Sequence, residues 1–408
     1  MLAAGPCRQL PLPIPTPLAQ GAPGAGVPVN HFPADLLLVS PLGRQLLAGY
    51  VGWGPDRSLE DALFERLGLG PVPGRSALTS ADALAQRWQD VPAGLAGKVI
   101  GAGVGWQSWR EQLADIGEAE LLADLAGVSF FFGFGGGDEE LWGLTAQAAG
   151  ELRPVAEALA ASPGARRWWE PADLAGQRFV EWDGEPRLTG PALEHAVREC
   201  MTAERAENAE GLRSRRPEER PGVRIGAYWW SPPGFAPQAW TTTAVEGLPA
   251  AGLCQFFDTF LPPQDVTGAV VRAVQIDPRA RVLEITGPAD WQVLVARFPR
   301  DVTGTHDGEW RYWGGVPGPW RLPDWEQVMG HYDGVHVSIG AAVASCGVAL
   351  PAAGGYTMLA AWTPGATLWL RDMTTATHRL GRWNGGPQTG AWDGYPPEWI
   401  PEADGLTH

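Results

Sequence analysis

Val270-Val271-Arg272-Ala273-Val274-Gln275-Ile276-Asp277-Pro278-Arg279-Ala280-Arg281-Val282-Leu283-Glu284-Ile285-Thr286 is the stretch that decides the fold. Branched side chains dominate 270–276 and recur over 281–286, where restricted χ1 freedom favours a pleated strand. Asp277-Pro278 between them is a turn signal. Pro288 then stands where a helix can open, and Trp291, Leu294, Val295 and Phe298 share one face of it. Further on, Pro323 opens another helix carrying Trp325 and Val328. Asp333-Gly334 leads into a strand over Val335 to Ile339. Residues 356–362 and 367–370 read as a closing hairpin around Pro364-Gly365. Strands with interspersed helices predict an α+β class.

Upstream the texture changes. Residues 1–30 are rich in Pro and Gly and read as an irregular arm. Residues 31–212 read as a helix-rich domain. Ser58 caps a helix carrying Leu59, Leu63 and Leu67, and Ser80 caps one carrying Leu84 and Trp88. Trp109, Leu113 and Ile116 mark a third, and Leu121, Leu122 and Leu125 a fourth. Val128 to Phe132 reads as a buried strand. A longer helix starts near Asp138 and is expected to break at Pro154. Thr189 and Pro191 open an amphipathic helix with Leu193, Val197, Cys200 and Met201 on its apolar face. The charge run Arg213 to Arg220, followed by Pro221, reads as a solvated linker over 213–221 and as the main domain boundary. The α+β domain then covers 222–372, with a candidate strand from Arg224 to Trp230. The Trp/Gly-rich tail 373–408 shows no clear element.

Composition excludes several classes. With 45% hydrophobic and 19% charged residues over 408 positions, the chain can bury a large core. A formal net charge of −16 leaves no basic footprint for a phosphate backbone, so duplex nucleic acid is not an expected partner. Lys98 is the single lysine. The four cysteines, Cys7, Cys200, Cys254 and Cys346, are far apart in sequence and give no metal or redox spacing, which favours a reducing compartment. Pro11, Pro13, Pro15 and Pro17 stand where a secretory signal needs an apolar helix. No apolar run reaches a membrane span. A cytoplasmic protein without a membrane partner is the expectation.

Few residues carry chemistry by pattern alone. Gly133-Phe134-Gly135-Gly136-Gly137 is followed by Asp138, Glu139 and Glu140, whose charges complement a helix dipole and repel a phosphate. His306-Asp307, His331, Asp333 and His336 are close in sequence without metal-ligand spacing, so no metal is expected. Ser231 lacks the flanking glycines of a nucleophile elbow. The twenty-one tryptophans are the most unusual feature. Most recur in apolar periodic patterns and are expected in the core, while Trp229 and Trp230 form a pair suited to stacking on a flat ligand.

The stretches Tyr228-Trp229-Trp230-Ser231-Pro232, Trp240-Thr241-Thr242-Thr243, Val282-Leu283-Glu284-Ile285 with Asp290-Trp291, and Asp324-Trp325 with Tyr332-Asp333-Gly334-Val335-His336 resemble a protein family of high-GC actinobacteria. The order of elements in this half also resembles ADP-ribosyltransferase toxins. That second resemblance implies NAD as cofactor, Arg224 holding its phosphate, and Thr242 of the threonine strand supporting the site. It also implies Glu284 or Glu326 stabilising the ribosyl cation, with Trp229 and Trp230 stacking on a ring. The sequence departs from the toxins by lacking a Glu-x-Glu or Gln-x-Glu before a late strand. The alternative expectation is a non-catalytic protein-binding or immunity-type protein using aromatic surface, or a structural, cargo-like protein.

Overall fold

A computed structural model describes residues 33–52, 105–128, 148–214, 229–254, 268–384 and 398–402. Its centre is an eight-stranded mixed sheet, ordered β12-β11-β3-β1-β2-β10-β7-β4. The strands are β1 (Gln177–Trp182), β2 (Trp240–Thr243), β3 (Gly268–Ile276), β4 (Val282–Ile285), β7 (Gly334–Val337), β10 (Thr367–Trp369), β11 (Thr374–Asn384) and β12 (Glu398–Pro401). Every pairing is antiparallel except β4 with β7, which run parallel. Two small ribbons pair β5 (Pro299–Asp301) with β6 (Arg321–Pro323), and β8 (Leu350–Ala352) with β9 (Gly355–Thr357). The α+β class expected from sequence is the class observed.

Helices α1 (Pro33–Val39), α2 (Pro41–Gly52), α3 (Gly105–Asp115), α4 (Glu118–Gly127), α5 (Ala148–Glu151) and α6 (Arg153–Ala161) precede the sheet. The break between α5 and α6 falls one residue before Arg153-Pro154, where the ring of a proline is tolerated only in a first turn. Helix α7 (Pro191–Ser214) buries Leu193, Val197 and Met201. Helices α8 (Pro288–Arg297) and α9 (Thr303–Gly314) follow β4, and the shorter α10 (Trp325–Met329) and α11 (Ile339–Ser345) flank β7. Asp324 accepts the Gln327 N–H and Ser338 the Ala341 N–H, so both short helices start on side-chain caps. The helices of 33–161 share one apolar core with the sheet: it runs from Ala34 through Trp168 to Leu370.

Three expectations need correction. The first is the boundary at 213–221. Strand β1 comes from the stretch assigned to the helix-rich half, yet it is inserted between β3 and β2, with Phe179 opposite Arg272 and Arg178 opposite Thr242. The sheet therefore draws on both sides of the charge run. A fragment beginning at residue 222 would expose the ladder edges of β2 and β3 that β1 satisfies. Such a fragment is expected to be insoluble or unfolded by circular dichroism; a soluble, cooperatively melting fragment would restore the boundary.

The second is the hairpin of 356–362 with 367–370. Thr357 lies in β9 and pairs with Leu350, whereas β10 pairs with β2 and β7. Ser231 explains the separation. Its hydroxyl donates to the Met358 carbonyl at 2.7 Å and accepts the Ala360 N–H at 2.8 Å, while its own N–H donates to the Ala360 carbonyl at 3.1 Å. The backbone groups a hairpin would use are spent on Ser231. The third is the tail, which contributes the eleven-residue β11 and the edge strand β12. The helices expected at Ser58 and Ser80, the start of the one at Asp138, most of the strand over Val128 to Phe132 and most of the strand from Arg224 lie outside the described residues.

Candidate functional site

One face of the sheet carries a row of polar side chains. In register, Glu284 of β4 stands beside His336 of β7, His336 beside Thr367 of β10, and Thr367 beside Thr241 of β2. Gln177 of β1 lies opposite Thr243, two residues from Thr241 and so on the same face. Hydrogen bonds tie the row together. His336 Nδ1 lies 3.1 Å from the Thr367 hydroxyl. Trp369 Nε1 donates to the Thr241 hydroxyl at 2.7 Å, and that hydroxyl donates to Gln177 Oε1.

A segment that leaves the helical layer crosses this row. The Trp168 carbonyl accepts the Gly340 N–H at 2.7 Å. The His336 imidazole makes a further hydrogen bond to the backbone of Glu170. The Ala172 N–H lies 3.3 and 3.4 Å from the two Glu284 carboxylate oxygens. Gln177 Nε2 donates to the Asp173 carbonyl at 2.8 Å. A Cβ on Gly340 would overlap the ring of Trp169, so this close approach of segment to helix requires glycine.

Electrostatics single out Glu284. Burial, opposed only by the Ala172 N–H, pushes its carboxyl up to about 7. Four other acids have an arginine at hand. Asp333 pairs with Arg281 at 2.9 Å, Asp324 with Arg205 at 2.7 Å, Asp372 with Arg187 at 3.2 Å, and Glu204 with Arg300 at 2.6 Å. The arginine contact holds the Asp333 carboxyl below its ordinary value. Glu284 has no cationic partner among its interactions with the described residues. Its neighbour His336 is buried, and desolvation lowers its imidazole to about 4, so it is a neutral hydrogen-bonding group at pH 7.

The residues singled out in the sequence do not all meet. Thr242 is adjacent to Thr241 and therefore projects from the opposite face, where its hydroxyl accepts the Gly252 N–H at 2.9 Å. Thr242 and Glu284 cannot share a cleft on one face of the sheet. Glu326 is on α10 at the surface, held by Arg205 at 3.1 Å. Trp229 is fully buried, with its carbonyl accepting Trp310 Nε1 at 2.9 Å, so its ring is closed to a ligand; Trp230 is half-buried. Arg224 lies outside the described residues. The three histidines part company too. His306 sits in α9 against Trp310 at 4.5 Å, His331 against Phe298 at 5.1 Å, and His336 in the polar row. Gln177 and Thr367 are not legible as site residues, and Thr241 only as one of the three threonines of its strand, because a polar residue inside a strand shows no partner until register is known. Comparison with protein-family models, with curated proteins and with solved structures finds no match for this chain.

Proposed function

We propose that the Glu284 face is a reaction centre, and that Glu284 serves there as an acid–base or charge-stabilising carboxyl. One observation carries the reading: a half-buried strand carboxyl held by a backbone N–H and by no arginine, whereas Asp324, Asp333 and Glu204 around the sheet are each paired with one. Such a group costs folding energy, which is the usual signature of a residue retained for chemistry. A carboxyl poised near neutrality can take a proton and return it, and its anion can face a developing positive charge.

The reaction class favoured by the sequence resemblance is NAD-consuming ADP-ribosyl transfer. NAD would supply the ribosyl–nicotinamide bond, and Glu284 is the residue of this face suited to stabilise the ribosyl cation as that bond breaks. His336 would act as a neutral positioning group. Thr242 and Glu326 lie elsewhere and have no part in this version. The protein-binding alternative draws on aromatic surface. Among the described residues the strongly exposed large hydrophobics are Val39, Leu212, Val293 and Ile400, none of them aromatic, so that reading has less support.

The test is nicotinamide release from NAD by the purified protein, with NAD, ADP-ribose and nicotinamide also scored by thermal shift, because a ligand stabilises by mass action. Glu284→Gln is expected to lower turnover by about 100-fold, the scale of removing one acid–base or electrostatic group. Wild-type protein that neither turns over NAD nor shifts with any of the three would overturn the assignment to NAD. Equal activity in Glu284→Gln would overturn the role of Glu284.

Stability supplies an independent check. A carboxyl whose value rises on folding contributes stability that is fully present below its unfolded value and is lost as pH rises through about 7. Glu284→Gln should therefore stabilise the protein at pH 8 by on the order of 1 kcal/mol, allowing for solvent screening, and change little at pH 4. Urea titrations at the two pH values measure it; a variant destabilised at pH 8 contradicts the electrostatic account.

A further inference from the structure

The segment over Glu284 is held unevenly. At its entrance Trp168 is fully buried and its carbonyl is bound by Gly340 at 2.7 Å, with the Trp169 ring seated on Gly340. At its exit Gln177 is fully buried, bonded to Thr241 and to the Asp173 carbonyl. Between these anchors Glu170, Pro171, Asp173 and Ala175 are exposed, and Leu174 is only partly buried against the core. The middle touches the sheet through the His336 bond to Glu170, the Gln177 side-chain bond to the Asp173 carbonyl and the two long Ala172 contacts to Glu284. Hydrogen bonds of 3.3 Å and beyond are weak, and a stretch with little apolar burial opens at low cost.

Resting on the reading of Glu284 as the working group, we infer that Glu170 to Ala175 form a cover that lifts from Glu284 to admit a ligand, while Trp168 and Gln177 stay fixed as its hinges. Closed, the cover occupies the carboxylate with the Ala172 N–H and shields it in part from water. Open, it gives up the His336 bond to Glu170 and the Gln177 bond to Asp173, leaves both carboxylate oxygens free for a ligand, and keeps the bonds within the polar row. Movements of this kind commonly gate active sites.

Carbodiimide-promoted amidation with glycinamide, read by peptide mass spectrometry, tests the cover without any ligand. The reference is Glu199, an exposed carboxyl on α7 with a side chain 69% accessible. Glu284 in the wild type is expected to react about ten times slower than Glu199, the difference reporting the closed fraction. Loosening the cover with Pro171→Gly and Leu174→Ala is expected to raise the Glu284 rate about three-fold or more and leave that of Glu199 unchanged, because glycine enlarges the backbone's freedom. A wild-type rate equal to that of Glu199, or a rate indifferent to the double substitution, overturns the cover. If the double variant fails to fold, amide exchange in the wild type decides: residues 170–175 should exchange about 100-fold faster than β1. Equal protection of the two overturns the proposal. A cover that opens in a protein without NAD turnover removes the reaction and keeps the cover; turnover beneath a segment as protected as β1 does the reverse.

Discussion

Replacing Trp291 by alanine is expected to cost about 3–5 kcal/mol, the range for emptying a buried aromatic site. Trp291 is fully buried and lies 6.4 Å from Trp325 and 6.1 Å from Trp362, between ring centroids. Trp362 in turn lies 6.0 Å from both Trp240 and Trp325. Four indoles thus fill one volume in tilted and edge-on contacts, geometries that suit the aromatic quadrupole. Trp291 Nε1 also donates to the buried Thr357 hydroxyl at 3.0 Å, so truncation removes that hydroxyl's donor as well as the packing. Trp291→Phe keeps most of the volume and is expected to cost roughly half as much. Urea unfolding of the three proteins is the measurement. A loss below about 1 kcal/mol for the alanine variant would mean that the cluster is loosely packed.

Acid should destabilise the fold steeply between pH 6.5 and 4.5. His306 and His336 are both buried, and desolvation lowers them to about 3 and about 4; Arg300 adds to the effect at His306. Each is neutral in the folded chain throughout this window and becomes protonated in the unfolded chain as pH falls below 6.5. The unfolded state then binds more protons, so stability is complete above pH 6.5 and declines towards pH 4.5. Two groups at about 1.4 kcal/mol per pH unit give a loss of about 5 kcal/mol, of which Glu284, shifted in the opposite sense, returns about 1. The net loss is a large share of a typical domain's stability. Denaturation midpoints at pH 7.5, 6.0 and 4.5 provide the curve, and His306→Gln should flatten its acid limb. A stability independent of pH across this range would place both imidazoles in contact with water or a carboxylate.

His306 is held on both ring nitrogens, with the Thr305 hydroxyl 2.8 Å from Nδ1 and the Trp230 carbonyl 3.3 Å from Nε2. The Thr305 hydroxyl also donates to the Val302 carbonyl at 3.1 Å, so its oxygen and the Trp230 carbonyl are both acceptors, and the neutral ring donates to one of them at a time. Burial of the ring is what opposes the second proton. That is why the acid sensitivity belongs to the fold and is separate from the Glu284 site.

Much of the local structure was already written in the sequence. The branched runs at 270–276 and 282–285 became β3 and β4, Pro288 opened α8 with Trp291, Leu294 and Val295 buried, and the apolar face of 189–212 became that of α7. These follow from side-chain periodicity and proline geometry, which act within one element. Burial of most described tryptophans was legible for the same reason. What the sequence left open is everything fixed by register. The 106 residues between Gln177 and Glu284 carry no local signal that β1 enters the sheet between β3 and β2. Nor does Trp240-Thr241-Thr242-Thr243 say which threonine shares a face with Glu284; a shift of one residue exchanges Thr241 for Thr242. Glu284 is visible in the sequence as a carboxyl on a strand, but its lack of an arginine partner, its elevated proton affinity and its place under Ala172 are properties of neighbours brought in from distant parts of the chain. Local propensity chose the elements; the low dielectric of the packed interior, which punishes unpaired polar groups, decided how their faces were matched.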